Sequence, residues 1–147
     1  MKTNELTSKD LMIGDWLQDS FGNIGQVYRL DPGRVHLRLL QERPQDEEYI
    51  VHDIEPIPLT HEILEKNGFE VERGGKIMGM QVADRCTLCI GDGIKKCWIE
   101  MQDYGETEHR KWATKITALD EVSVGIGYVH QLQHALRLCG INKEIEV

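Results

Sequence analysis

The chain has 147 residues, and its 17 Lys+Arg stand against 25 Asp+Glu, a formal net charge of -8. That length suits one domain or two small ones, and 40% hydrophobic with 29% charged residues argues against a disordered chain, a collagen or a disulfide scaffold. No apolar run approaches the roughly 18–20 residues of a membrane span. The polar start Met1-Lys2-Thr3-Asn4-Glu5 leads into no signal-like core, so a cytoplasmic protein with no membrane partner is expected.

In chain order, residues 1–10 read as a polar, frayed start. Met12 to Leu17 gives a first strand and residues 21–25 a turn. Gln26-Val27-Tyr28-Arg29-Leu30 gives a second strand. Asp31-Pro32-Gly33 is a tight turn, because Pro presets φ and Gly accepts φ > 0. Val35, Leu37 and Leu39 alternate with His36, Arg38 and Leu40 as a third strand with one buried face. Residues 41–48 read as a charged loop, Tyr49-Ile50-Val51 as a fourth strand and residues 54–57 as a fifth. Short strands joined by tight turns predict a small antiparallel barrel.

Pro56 and Pro58 break the pattern. Thr60 fits a helix N-cap, residues 61–67 a short helix with Ile63 and Leu64 inward, and Asn67-Gly68 its end. Strand-like runs follow at 69–72, 77–82, 86–90, 94–101 and 112–119, with a hairpin turn at Gly91-Asp92-Gly93. Residues 123–127 are Gly-rich and lead into an amphipathic helix. There Val129, Leu132, Ala135, Leu136 and Cys139 form one stripe, while His130, Gln133, His134 and Arg137 take the polar side. Ile145 to Val147 suggests a last short strand.

Charge is spread along the chain. Residues 1–58 hold 6 basic and 11 acidic residues, and residues 59–147 hold 11 and 14. Neither part offers the positive field that drives phosphate-backbone binding, so a protein partner is expected ahead of nucleic acid.

Cys86-Thr87-Leu88-Cys89 has the spacing of a zinc half-site or a redox pair. Cys97 and His109 are the candidates to complete a metal set, with His130, His134 and Cys139 as further donors. Strand alternation splits Cys86 from Cys89, which favours separate buried thiols over a shared metal. No cofactor is therefore expected, and zinc is the alternative. His130-Gln131-Leu132-Gln133-His134 has the zinc-protease helix spacing. Gln131 stands where that chemistry needs a Glu base, so hydrolysis fails. The two histidines read as polar-face residues. No phosphate loop, nucleophile elbow or complete catalytic set is present. An enzyme whose residues come from separate strands leaves no local motif, so that class stays open.

Two segments carry resemblances. Ile13-Gly14-Asp15-Trp16 followed by Gly25-Gln26-Val27-Tyr28 resembles the opening of SH3-like and KOW-like small barrels. Three landmarks are Leu11 to Trp16, Ile57 to Phe69 and Tyr128-Val129-His130-Gln131-Leu132-Gln133. Together they are similar to a group of small proteins from Bacteroides-type bacteria, their phages and mobile elements. That group has no established activity to carry over. The resemblance implies a cytoplasmic protein of phage or mobile-element origin.

The expected fold is α+β and mostly β. An SH3-like barrel over residues 1–58 precedes an antiparallel sheet with a short helix and a C-terminal amphipathic helix over residues 59–147, the two sharing a core. The expected function is a non-catalytic binding or adaptor module. Trp16, Phe21 and Tyr28 are its partner-binding residues, and a homodimer would cover sheet edges. The alternatives are a nucleic-acid-binding KOW-like protein and a zinc protein using Cys86, Cys89, Cys97 and His109.

Overall fold

The computed structural model describes residues 6–40, 45–90, 97–103, 112–116 and 123–147, with Gln81, Cys97, Ser123 and Val124 described by backbone only. The chain is mostly β and packs as two units. The first comprises Met1–Pro58 with Tyr128–Ala135, the second Leu59–Gly127 with Leu136–Val147. Among the described residues, no helix is long and apolar enough to cross a membrane.

In the first unit a 3-10 turn, Ser8–Asp10, precedes strands β1 (Trp16–Asp19), β2 (Ile24–Asp31), β3 (Arg34–Leu39) and β4 (Gln45–Ile50). A second 3-10 turn, Val51–Asp53, leads to β5 (Ile54–Pro56). The strands form an antiparallel sheet in the order β4-β3-β2-β1-β5. It is an open sheet, with β4 and β5 at its edges.

Strand alternation puts Leu17, Val27, Val35, Leu37 and Leu39 on one face, where they pack with Leu11, Val51 and Ile54. The β2–β3 hairpin turns on Pro32-Gly33, and Gly33 takes φ 71°, which a Cβ disfavours. Pairing slips between Val27 and Arg29. This bulge leaves both Tyr28 and Arg29 exposed and returns Leu30 to the core side.

Residues 45–48 differ from the sequence expectation, being strand rather than loop. Apolar periodicity is silent there because cross-strand ion pairs hold the outer face. Arg38 Nε lies 3.1 Å from Asp46 and Arg34 Nη1 2.6 Å from Glu48. The Tyr49 ring packs on the core side, opposite Val35.

In the second unit α1 (His61–Lys66) is followed by β6 (Glu70–Glu72), β7 (Gly75–Ile77), β8 (Met80–Val82), β9 (Arg85–Ile90), β10 (Cys97–Asp103), β11 (Trp112–Ile116) and β12 (Ser123–Ile126). The order is β12-β11-β10-β9-β6, with β7-β8 a separate two-stranded ribbon. Thr60 caps α1, its Oγ1 accepting from the Ile63 N–H. The expected strand 77–82 is instead a hairpin, because Met78 and Gly79 both take positive φ and reverse the chain. Cys86, Ile99, Met101, Ile116, Ile126 and Trp112 are buried, and the Trp112 indole N–H donates to the Leu59 carbonyl at 3.2 Å.

Residues 145–147 form no strand. The Asn67 side chain binds Glu146 instead, donating to its carbonyl at 2.7 Å and accepting from its N–H at 2.8 Å. The hairpin turn at 91–93 and residues 94–96 and 117–119 of the expected strands lie outside the described residues.

Helix α2 (Val129–Leu138) gives residues 129–135 to the first unit and 136–138 to the second. The expected division put the whole helix in the second part. Its start is held in the first unit, where the Val129 N–H donates to the Ile57 carbonyl at 2.9 Å. Val129, Leu132 and Leu136 are buried as the apolar stripe requires, and so are His130 and Gln133, which the polar-face reading exposed.

Candidate functional site

The first unit contains a cavity of about 630 Å³ whose lining includes Lys9, Asp10, Met12, Tyr128, Gln131 and both helix histidines. Local chemistry builds its walls. Thr7 and Asp10 close the first 3-10 turn, the Asp10 carboxylate accepting from the Thr7 N–H and hydroxyl, each at 2.8 Å. Those bonds hold the Asp10 carboxyl below its ordinary range, against a small opposing effect of burial.

Residues 12–15 form a turn next to it. The Met12 N–H donates to Asp15 Oδ2 at 2.7 Å, and the Gly14 N–H donates to the Val27 carbonyl at 2.7 Å. This turn carries Asp15 wholly inside the fold. His134 Nε2 meets both of its oxygens, at 2.9 and 2.7 Å. A carboxylate oxygen accepts, so this contact is made by the His134 tautomer that carries its proton on Nε2.

His130 lies one helical turn before His134. Its ring stacks on Tyr128 (centroids 6.0 Å apart, planes at 19°) and meets the His134 ring edge-on at 5.6 Å. The residue is 4% exposed, and its Nδ1 has no hydrogen-bond partner among the described residues. Burial, opposed by the Asp15 charge, pushes its pKa below the ordinary histidine value, so the ring is neutral. The Tyr128 N–H donates to Gln131 Oε1 at 3.3 Å, which fixes the start of α2 beside the cavity.

A histidine held by a buried carboxylate is half of a catalytic triad. The described residues lining this cavity include no serine, threonine or cysteine to supply a hydroxyl or thiol nucleophile.

The three rings named from sequence do not form one patch. Trp16 sits in the row Trp16–Gln26–Arg38 across β1, β2 and β3. Tyr28 lies under the Arg38 guanidinium, 5.4 Å from ring centroid to Cζ, and edge-on to His36 at 5.9 Å. Phe21 is 89% exposed at the β1–β2 turn, the opposite end of that hairpin. Asp19 builds this turn. Its carboxylate accepts from the Phe21 and Asn23 N–H groups, the Asn23 amide and the Tyr49 hydroxyl, at 2.8 to 3.1 Å. Burial opposes ionisation of Asp19, yet these bonds outweigh it and hold the carboxyl below its ordinary range.

The cysteine set is also divided. Cys86 is buried and Cys89 exposed, on opposite faces of β9. Burial pushes the Cys86 thiol up to about 11, the wrong direction for a thiolate ligand. Cys97 pairs through its backbone with Ile90, at the far end of the ladder from the Cys86–Met101 pair. The side chain of Cys97 and all of His109 lie outside the described residues.

Among the described residues, the donors that do converge are His61, Asp84 and Asp103 of the second unit, with ligand atoms all within 4.8 Å of one another. Sequence reasoning passed over them, and over Asp15. The partners in each cluster stand 19 to 119 residues apart, so no local spacing signals them. The Gly14-Asp15 step and the i, i+4 histidines were visible, without anything to join them.

Comparison with protein-family models, with curated proteins and with solved structures finds no match in any of the three.

Proposed function

We propose that the protein is a non-catalytic binding module that receives a peptide segment of a protein partner in the first-unit cavity. The observation that carries this is the neutral, buried His130 with an unpaired Nδ1 in the cavity wall. A buried polar group left unpaired costs about 1–3 kcal/mol. The His130 Nδ1 is closed off from solvent, so a ligand meets it when the ring turns toward the cavity, and a hydrogen-bonding group such as a peptide amide then recovers that cost. The cavity volume falls within the range of ligand sites. The Asp15–His134 pair fixes the neighbouring wall, so little is lost in ordering the site on binding.

The first unit reads as SH3-like. The strand order β5-β1-β2-β3-β4 and the 3-10 turn before β5 support it, together with the resemblance of the Gly14-Asp15 and Gly25-Gln26-Val27 steps. Such barrels commonly serve recognition. The sequence resemblance adds a setting, a cytoplasmic protein of phage or mobile-element origin. Nucleic acid is disfavoured because Arg29, Arg34 and Arg38 each lie beside a carboxylate, which weakens the field available to phosphates.

A random-peptide display library panned on the immobilised full chain tests the proposal. Enriched peptides are expected to lose binding to Lys9→Trp, which fills the cavity, and to His130→Phe, while Phe21→Ser keeps it. No enrichment over an unrelated protein, or equal binding to all variants, contradicts it. Retention of DNA or RNA in a low-salt gel shift would favour the nucleic-acid reading instead.

A further inference from the structure

We propose that His61, Asp84 and Asp103 bind one divalent first-row transition cation, such as Zn²⁺ or Mn²⁺, in the second unit. This is independent of the first-unit cavity and uses none of the cysteines.

The three donors come from separate segments: the first turn of α1, the link between β8 and β9, and the end of β10. Nothing in chain order requires them to meet. Yet His61 Nε2 lies 3.1 Å from Asp84 Oδ2 and 4.0 Å from Asp103 Oδ2. Ligand atoms that each bind one ion at about 2.0–2.2 Å stand roughly 3–4 Å from one another. The set therefore needs only small side-chain adjustment to close on a cation.

Each donor is also oriented by a neighbour, as outer partners orient the ligands of metal sites. The Gly74 N–H donates to Asp84 Oδ1 at 2.7 Å, which turns Oδ2 toward His61. Gly74 can do this only as glycine, since a Cβ there would come within 1.9 Å of the Val82 carbonyl oxygen. The Asp103 N–H donates to the Asp84 carbonyl at 3.0 Å and ties the two carboxylate residues together. The His61 ring stands edge-on to Trp112 at 4.9 Å, and Trp112 is pinned to the Leu59 carbonyl just before the helix.

Charge favours a cation as well. Two carboxylates, one of them buried, face a single imidazole, and the guanidinium of the exposed Arg73 stands 3.4 Å from Asp84 Oδ2. A surface arginine can swing away when an ion takes its place. One imidazole with two carboxylates suits Zn²⁺ or Mn²⁺ better than Ca²⁺, which prefers oxygen alone, or a soft ion, which prefers thiolate.

The test uses the untagged full chain, stripped with chelator, and titrates ZnCl₂ and MnCl₂ by calorimetry. Saturable binding of one equivalent of either metal is expected, weakened about tenfold or more by His61→Asn and by Asp103→Asn. Cys89→Ser, Cys97→Ser and, at an exposed histidine, His52→Asn should leave it unchanged. Because a ligand variant can lose stability, Mn²⁺ is also added to the unsubstituted chain and the histidine ring signals followed by NMR. The His61 signals should broaden before those of His36 and His134. No saturable binding, binding unaffected by the His61 and Asp103 substitutions, loss on cysteine substitution, or broadening that begins at another histidine overturns the assignment.

Discussion

His130 and Asp19 show how single polar groups shape this fold in opposite ways. His130 is kept neutral by burial, with a folded pKa below the ordinary 6.5. Its contribution to stability is therefore complete above pH 6.5. Below that, the unfolded chain takes up a proton that the folded ring refuses, and stability falls until the folded pKa is reached. The slope from this residue is at most about 1.4 kcal/mol per pH unit. Urea unfolding between pH 7.5 and 5.5 should show a shallower decline for His130→Gln than for the unsubstituted chain. Equal slopes would mean that the ring is not excluded from protonation. Asp19, by contrast, is ionised and saturated with donors. Asp19→Ala strands the Phe21 and Asn23 N–H groups of a tight turn and should destabilise the chain by about 2 kcal/mol in chemical denaturation. A change within a few tenths would show that the turn holds without it.

At the scale of elements, regular alternation was the most legible signal. Val35, Leu37 and Leu39 announce β3 because one face is apolar and the other wet. The Thr60 cap and Asn67-Gly68 end announce α1 because capping chemistry is local. β4 was illegible because Asp46 and Glu48 look like loop residues until β3 brings Arg38 opposite Asp46 and Arg34 diagonally beside Glu48. The β7–β8 hairpin was hidden because its turn uses Met78 at positive φ, where a side chain is rarely found. The candidate sites were less legible still. Asp15 with His134, and His61 with Asp84 and Asp103, are products of tertiary folding. The Cys86/Cys89 spacing was visible and structurally divided. Gly74→Ala belongs to this scale. The clash with the Val82 carbonyl should shift the link that presents Asp84 and lower stability by about 1–3 kcal/mol. Thermal unfolding checks it, and an unchanged midpoint would show that the segment relaxes freely.

For the whole molecule, each unit holds a weak acid that burial keeps neutral. Tyr49 of the first is pushed up to about 12 and Cys86 of the second up to about 11. The unfolded chain ionises its thiol near 9.0 and its phenol near 10.0, so stability should fall as pH rises beyond about 9. The midpoint of thermal unfolding, followed from pH 8 to 10.5, should drop, and Cys86→Ala should blunt the early part. A flat profile would contradict the burial of the thiol. The net charge of -8 adds self-repulsion that ionisation on the alkaline side deepens.

Nitrogen-detected NMR of ¹⁵N-histidine-labelled protein reads the cavity wall at His130 directly. With a saturating peptide from the display selection, the Nδ1 signal of His130 should move while that of the exposed His52 stays in place. A bound peptide that leaves the His130 Nδ1 signal where it was would contradict the assignment of this cavity as the binding site.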